Sequence, residues 1–311
     1  MHGIGNPLAF QLAVVERLGR VMAVRRSHRS IFSLKSWLFT PATKADRFGR
    51  AGEARADALI IDLEDAVAFT DKQKARTAAL QYLEQPPGGR LPCALRINAP
   101  VTRTGIEDLH SLLASTAAPD YIILPKCDSP GFICMLRALL DQTAKEAGII
   151  ALIESAKGVE ALPDIVSSDV RPAALMFGAA DMEADLGAKT GWESLLFVRS
   201  RIVQLAASAG IVVVDSPFFD IADLDGLKKE TEAARDLGFH GKAAIHPNQI
   251  SIINDVFVPS AEEVAKAHQI LGVNQQGVGS IDHQMVDEAI ARKARLTLER
   301  AAIAAANLVA R

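Results

Sequence analysis

The chain has little cysteine, no long apolar run and no basic cluster in its body, and each shortage removes a class of protein. Cys93, Cys127 and Cys134 are the only cysteines among 311 residues. Their odd number, with neither CxxC nor histidine-paired spacing, argues against a disulfide framework or a zinc site and fits a reducing compartment, the cytoplasm. The longest apolar stretches, such as residues 148–153, fall far short of the roughly 20 residues that cross a bilayer, so neither a transmembrane helix nor a membrane partner is expected. The formal net charge is -3, and no Lys/Arg cluster interleaved with aromatics follows the first residues, which leaves nucleic acid without an electrostatic footprint. A GxGxxG turn after a first strand is also missing. The early Gly3-Ile4-Gly5 precedes any predicted strand, so an open dinucleotide-binding sheet has no signature here.

What remains suits a large core: 49% of the residues are hydrophobic and 23% charged, enough for one large domain with a small appendage. The first 35 residues stand apart, because Arg17, Arg20, Arg25, Arg26, Arg29 and Lys35 face only Glu16. An Arg-rich, acid-poor stretch has the character of a targeting peptide. Residues 1–35 are read instead as a poorly ordered basic extension, or as sequence upstream of a start at Met22.

From Ser36 onward, short apolar runs alternate with longer amphipathic stretches, the pattern of βα units around a parallel sheet. The runs are Ser36–Pro41, Ala58–Asp65, Cys93–Asn98, Asp120–Lys126, Gly148–Ser155, Ala174–Asp181, Ile211–Pro217 and Lys242–His246. They are apolar almost throughout, as strands covered on both faces should be. Helices are expected over Lys44–Glu53, Asp71–Leu83, Gly105–Leu113, Gly131–Glu146, Gly158–Val166, Ser194–Ala209 and Asp223–Leu237. Such a series within roughly 250 residues predicts an α/β fold, a closed (β/α)8 TIM barrel over residues 36–258. Residues 259–311 read as a C-terminal helical appendage, with helices over Ala261–Leu271 and Asp287–Arg311 and a glycine-containing break over Gly272–Ser280.

The informative feature is what ends each predicted strand, because barrel active sites are assembled at those ends. Strand two ends in Asp62-Leu63-Glu64-Asp65, strand three carries Arg96 and Asn98, strand four ends in Lys126, strand five in Glu154-Ser155, strand six in Asp181, strand seven in Asp215-Ser216 and strand eight in His246. Charges in apolar segments are costly to bury unless they are paired or bound to a metal. Helix capping or simple ion pairs account for any one of them, but not for acids on strands two, five and six together with Arg96 on strand three. A divalent cation does. Glu154 and Asp181, on neighbouring predicted strands, supply two carboxylates for Mg2+, and Glu64 and Asp65 hold the waters around it. Arg96 is the partner for a carboxylate or an enolate oxygen; its alternative is a rim ion pair with Glu64 or Asp65. Lys126 has the position of a Schiff-base lysine, although an acid cluster beside it would keep the amine charged. His246 is given a supporting role.

These same residues resemble the HpcH/HpaI aldolase and citrate lyase β-subunit-like family. The likeness runs from Ser36 to about Ala289 and is carried by Ser36-Trp37-Leu38-Phe39-Thr40-Pro41, Ile61-Asp62-Leu63-Glu64-Asp65-Ala66-Val67, Leu95-Arg96-Ile97-Asn98, Leu124-Pro125-Lys126, Leu152-Ile153-Glu154-Ser155, Phe177-Gly178-Ala179-Ala180-Asp181, Asp215-Ser216-Pro217-Phe218 and Ile245-His246-Pro247-Asn248-Gln249. It implies a Mg2+-dependent lyase acting on a β-hydroxyacyl-CoA thioester of citramalyl-CoA or malyl-CoA type, with coenzyme A entering as part of the substrate. It implies Mg2+ on Glu154 and Asp181, Glu64 and Asp65 around its waters, and Arg96 at the reacting oxygen, with Lys126 and Pro217 as further substrate contacts. Met285-Val286-Asp287 resembles a segment that reaches a neighbouring subunit's site in related CoA lyases. Asp287 is therefore the candidate acid/base, and a homo-oligomer, a trimer, is implied. The family often has Arg-Ser before the first strand and Pro-Gly-Asn after it, whereas this chain has Lys35-Ser36 and Pro41-Ala42-Thr43, which puts acyl specificity in question.

Three rivals stand beside this reading. A class II aldolase on free hydroxy-oxo acids would use a similar metal site but wants an early histidine base, and none lies between Leu38 and Asp57. A thioesterase acting on malyl-CoA-like substrates is separated by its products. A non-catalytic barrel would bind Mg2+ without turnover.

Overall fold

The computed structural model describes residues 30–85, 90–275, 279–281 and 284–309. The reading of residues 1–29 as a basic extension lies outside these residues. Eight strands, β1 (Ser36–Pro41), β2 (Ala58–Asp62), β3 (Cys93–Arg96), β4 (Tyr121–Leu124), β5 (Gly148–Ile153), β6 (Ala174–Phe177), β7 (Val212–Asp215) and β8 (Gly241–Ala244), pair in sequence order and close into a barrel. Every pairing is parallel, including β8 with β1. Runs such as Ile122-Ile123-Leu124 and Val212-Val213-Val214 form these strands because β-branched and large apolar side chains fit a pleated surface buried on both faces. The expected (β/α)8 TIM barrel is thus the fold.

Between and beyond the strands lie α1 (Arg50–Glu53), α2 (Lys72–Leu83), α3 (Arg103–Ala114), α4 (Pro130–Gln142), α5 (Ala156–Glu160), α6 (Leu162–Ser167), α7 (Ala179–Leu186), α8 (Trp192–Ala209), α9 (Leu224–Leu237), α10 (Ile250–Phe257), α11 (Ala261–Gln275) and α12 (Glu288–Val309). Several open on polar caps: Thr102 accepts from Gly105 N, Ser129 from Gly131 N, Ser155 from Gly158 N and Asp223 from Gly226 N, which satisfies amide donors a helix cannot pair internally. Gly105 is needed for a second reason. A Cβ there would collide with the Ala99 carbonyl oxygen, so α3 can approach the loop after β3 only through glycine.

Two apolar clusters divide the core by the period of two along each strand. Trp37, Ala58, Ile60, Ala94, Ile123, Ile150, Leu152, Ala174, Met176, Val212 and Val214 fill the barrel, while their neighbours Leu59, Ile61, Leu95, Ile122, Ala151, Leu175 and Val213 face the helices. The inner cluster also contains fully buried Leu34, whose carbonyl accepts from Trp37 Nε1 at 3.1 Å. Ile31–Ser33 form a turn just before it. Residues 30–35 were expected in the extension but close the bottom of the barrel, because an apolar residue at position 34 is drawn into the interior.

Strand ends differ from expectation in one direction. Strands two to eight stop two to four residues early, so Glu64, Asp65, Lys126, Asp181 and His246 lie in loops or helices beyond them. In the tail, α11 packs on α12, and α12 on the turn before β1. Between these helices β9 (Gly279–Ile281) and β10 (Gln284–Val286) form an antiparallel pair; β9 begins inside the expected break over Gly272–Ser280, and neither strand was foreseen. Among the described residues no helix is long and apolar enough to cross a membrane.

Candidate active site

The alternation that places Ile60, Ala94 and Leu152 inside the barrel continues to Asp62, Arg96 and Glu154, which therefore share its upper inner rim. Arg96 is fixed there by Asp62, donating from Nε to Oδ1 at 2.6 Å and from Nη2 to Oδ2 at 2.7 Å. Its guanidinium lies over the Phe39 ring at 5.0 Å. Asp62 also accepts from the amides of Glu64 and Ala66, so the loop after β2 wraps around this carboxylate. Nη1 is left toward Glu64 Oε2 at 3.2 Å and Asp65 Oδ2 at 3.8 Å. Burial works against the Arg96 charge, but Asp62, then Glu64 and Asp65, more than offset it and hold the group above its ordinary range. The principal partner of Arg96 is thus Asp62 rather than Glu64 or Asp65. The signal was present, since Asp62 shares the face of Ile60.

Beside this pair, Lys126 Nζ stands 3.1 Å from Glu64 Oε1, 3.9 Å from Glu154 Oε1 and 3.6 Å from Asp181 Oδ1, so three carboxylates far apart in sequence surround one ammonium. The Lys126 backbone has φ 50°, a left-handed conformation uncommon for a non-glycine residue, and its amide donates to Glu154 Oε1 at 2.8 Å. Burial costs the lysine charge, but Glu64, Glu154 and Asp181 outweigh it and hold the amine charged. That charge is unfavourable for a Schiff-base role, which needs a neutral amine. Glu154 is 2% exposed. Burial first, then repulsion from Glu64 and Asp181, push its carboxyl up to about 8 against the pull of Lys126. Burial raises Glu64 as well, opposed by Arg96 and Lys126. Gly178 makes room for this arrangement, because a Cβ there would come within 2.6 Å of Glu154 Cβ and 2.7 Å of its Oε2.

Asp181 is not on a strand. It sits in the first turn of α7, where the helix dipole favours a carboxylate. Asp65 is more than half exposed. Pro217 is half-buried just beyond β7. Exposed His246 pairs through Nδ1 with Asn248 Oδ1 at 2.6 Å and caps the turn Pro247–Gln249. Asp215 does not belong with the rim acids. It follows Val213 onto the helix-facing side, fully buried, and accepts from Arg199 Nε at 3.0 Å and Lys242 Nζ at 2.6 Å. Asp287 is exposed and caps α12 through Ile290 N at 2.9 Å. The helix it opens packs on the turn before β1, so within one chain α12 is anchored at the end of the barrel opposite the acids.

Lys72 escaped sequence reasoning. On α2, its Nζ donates to Leu63 O at 2.7 Å, Glu64 O at 2.6 Å and Asn98 Oδ1 at 2.7 Å. Asn98 in turn donates from Nδ2 to Asp108 at 2.6 Å, and Asp108 accepts from Arg76 Nε at 2.7 Å. This chain of bonds clamps the backbone that carries Glu64. Nothing in the local pattern separates such a lysine from an ordinary helix-surface residue.

Among the described residues no three His, Cys, Asp or Glu side chains are arranged to hold a metal by themselves. The donor set nevertheless fits Mg2+, which commonly takes one or two carboxylates and completes its shell with water and substrate oxygens. Glu64 Oε2 is buried without a hydrogen bond, its contact with Arg96 being an ion pair of poor angle. The acids already gather around one cation, the Lys126 ammonium.

Residues 35–247 match the family model described as HpcH/HpaI aldolase/citrate lyase. The chain belongs to that family. Similar HpcH/HpaI relatives include the citrate lyase subunit beta-like protein of Mycobacterium tuberculosis, 33% identical over 85% of this chain and 94% of the relative. The (3S)-malyl-CoA thioesterase of Cereibacter sphaeroides is 32% identical over 88% and 96%, and the human mitochondrial citramalyl-CoA lyase 27% identical over 88% and 86%. Among solved structures, RipC from Yersinia pestis is 45% identical with TM-score 0.67, covering 75% of this chain and 99% of that one. CitE from Mycobacterium tuberculosis in complex with magnesium, acetoacetate and coenzyme A is 31% identical with TM-score 0.76, covering 88% and 100%.

Proposed function

We propose that this chain is a Mg2+-dependent carbon–carbon lyase that cleaves a β-hydroxyacyl-CoA thioester, of citramalyl-CoA or malyl-CoA type, to acetyl-CoA and a 2-oxo acid. The observation that carries this reading is the meeting of Glu154, Asp181 and Glu64 around one cation position, with Arg96 held beside them by Asp62. The CitE structure with magnesium and coenzyme A supports it, as does likeness to a citramalyl-CoA lyase. Glu154 and Asp181 would hold the ion, with Glu64 and Asp65 accepting from the waters around it. When bound, Mg2+ supplies Lewis acidity and a template that acidifies and orients the substrate hydroxyl.

Arg96 donates from Nη1 to the thioester carbonyl oxygen, onto which the electron pair of the breaking carbon–carbon bond moves. Because Asp62 occupies Nε and Nη2, the remaining nitrogen is aimed before substrate arrives. Lys126 and Pro217 contact the substrate. Asp287, presented by a neighbouring subunit of a homotrimer, takes the substrate hydroxyl proton as the carbonyl of the 2-oxo acid forms and returns it to the enolate carbon, which completes acetyl-CoA. The packing of α12 on the turn before β1 and the exposure of Asp287 support this assignment across subunits. Unpaired cysteines support a reducing compartment, the cytoplasm.

Incubation with Mg2+ and a panel of malyl-, citramalyl- and citryl-CoA tests the proposal, following 2-oxo acid and free thiol in parallel. The lyase reading expects metal-dependent 2-oxo acid without thiol release. Thiol without 2-oxo acid would replace it with thioester hydrolysis, a second reading favoured by the likeness to a malyl-CoA thioesterase.

A further inference from the structure

The arrangement around Lys126 has one asymmetric feature. Its side chain is 47% exposed, whereas Glu154 is 1% and Glu64 7% exposed. Glu64 and Glu154 are built into the wall, Asp181 is 40% exposed, and the cation among them stands at the solvent edge on a flexible four-carbon stem. Its backbone is pinned independently of the ammonium, through the amide bond to Glu154, so the head group can leave without moving the turn.

We propose that the Lys126 ammonium is a resident placeholder. It pairs with Glu64, Glu154 and Asp181 while no divalent ion is present, is expelled when one enters, and so becomes free to meet an anionic substrate only after the metal is seated. This rests on the metal reading above and adds an order of events to it. An ammonium within 4 Å of the same oxygens that receive a dication would face strong like-charge repulsion, while swinging outward costs it little because it is already half in water. The freed group then lies beside the mouth, where a small carboxylate such as that of a 2-oxo acid offers it a new partner. Charge at the acids is thereby exchanged, monocation for dication, without leaving buried carboxylates unpaired at any stage.

Mg2+ alone is the probe. Titration calorimetry on the full chain should show Lys126→Met binding Mg2+ about tenfold more tightly than the native protein, since a competitor shared by three acids is worth more than one exposed pair. Lys126→Arg, which keeps the charge, should show no such gain. On the native protein, acetylation of Lys126 by an amine-directed reagent, read by peptide mass spectrometry, should speed up on adding Mg2+, while Lys228, paired with Glu232 within α9, serves as the reference. Unchanged or weaker Mg2+ affinity in Lys126→Met, or Lys126 labelling that Mg2+ leaves unchanged or slows, would overturn the placeholder role alone. Absence of Mg2+ binding in both native and variant protein would overturn the metal reading with it.

Discussion

Replacing Glu154 with glutamine should make the metal-free protein more stable, and increasingly so as the pH rises. The native side chain is buried against Gly178, and its carboxyl is raised from 4.5 to about 8 by burial, then by Glu64 and Asp181. The folded protein therefore keeps a proton that the unfolded chain releases above 4.5. Stability is fullest below that value and declines as the pH climbs toward 8, by roughly 1.4 kcal/mol per pH unit across the window. The whole effect is on the order of 5 kcal/mol, a large fraction of a typical folding free energy. Glutamine keeps the shape and an oxygen for the Lys126 amide but has no proton to lose. Urea denaturation in EDTA at about pH 5.5 and about pH 8.5 measures the difference. The variant should gain several kcal/mol over the native protein between those two conditions, and Mg2+ should recover the deficit of the native protein at the higher pH. Parallel pH profiles, agreeing within about 0.5 kcal/mol, would refute the claim that burial and the neighbouring acids disfavour the charged form of Glu154 in the absence of a divalent ion.

Glu154→Ala and Asp181→Ala should each abolish metal-dependent cleavage while circular dichroism shows an intact fold; full activity in the double variant would remove the metal assignment. Asp287→Ala should lower turnover by about 100-fold or more, within the range general acid–base groups contribute, without loss of Mg2+ affinity, and wild-type turnover would dismiss the residue. Asp62→Asn removes the principal charge partner of the buried Arg96 and should cost about 3–5 kcal/mol of stability in urea titrations, together with turnover. Asp215→Asn should cost a similar amount by breaking its pairs with Arg199 and Lys242, yet leave Mg2+ affinity unchanged because it faces the helices.

Barrel architecture was legible because eight continuous apolar runs separated by amphipathic segments have few other solutions, and Glu154, Asp181, Glu64, Arg96 and Lys126 do meet at one end of it. Treating every polar residue near a strand end as a member of one rim was too coarse. Inner and outer positions alternate, so Asp62 and Arg96 turn inward with Glu154, while Asp215 turns toward the helices to join Arg199 and Lys242. Strand ends were overextended because Leu63, Ile97 and Pro125 keep the run apolar past the last paired residues, Asp62, Arg96 and Leu124. Lys72 was invisible for a different reason: its importance lies in carbonyl oxygens that side-chain patterns do not encode.

Anomalous scattering from a crystal of the protein soaked in Mn2+ addresses the shared cation position most directly. The account predicts a peak touched by carboxylate oxygens of Glu154 and Asp181, with Lys126 Nζ no longer between them. A peak elsewhere, or none at an ion concentration that supports turnover, would contradict it.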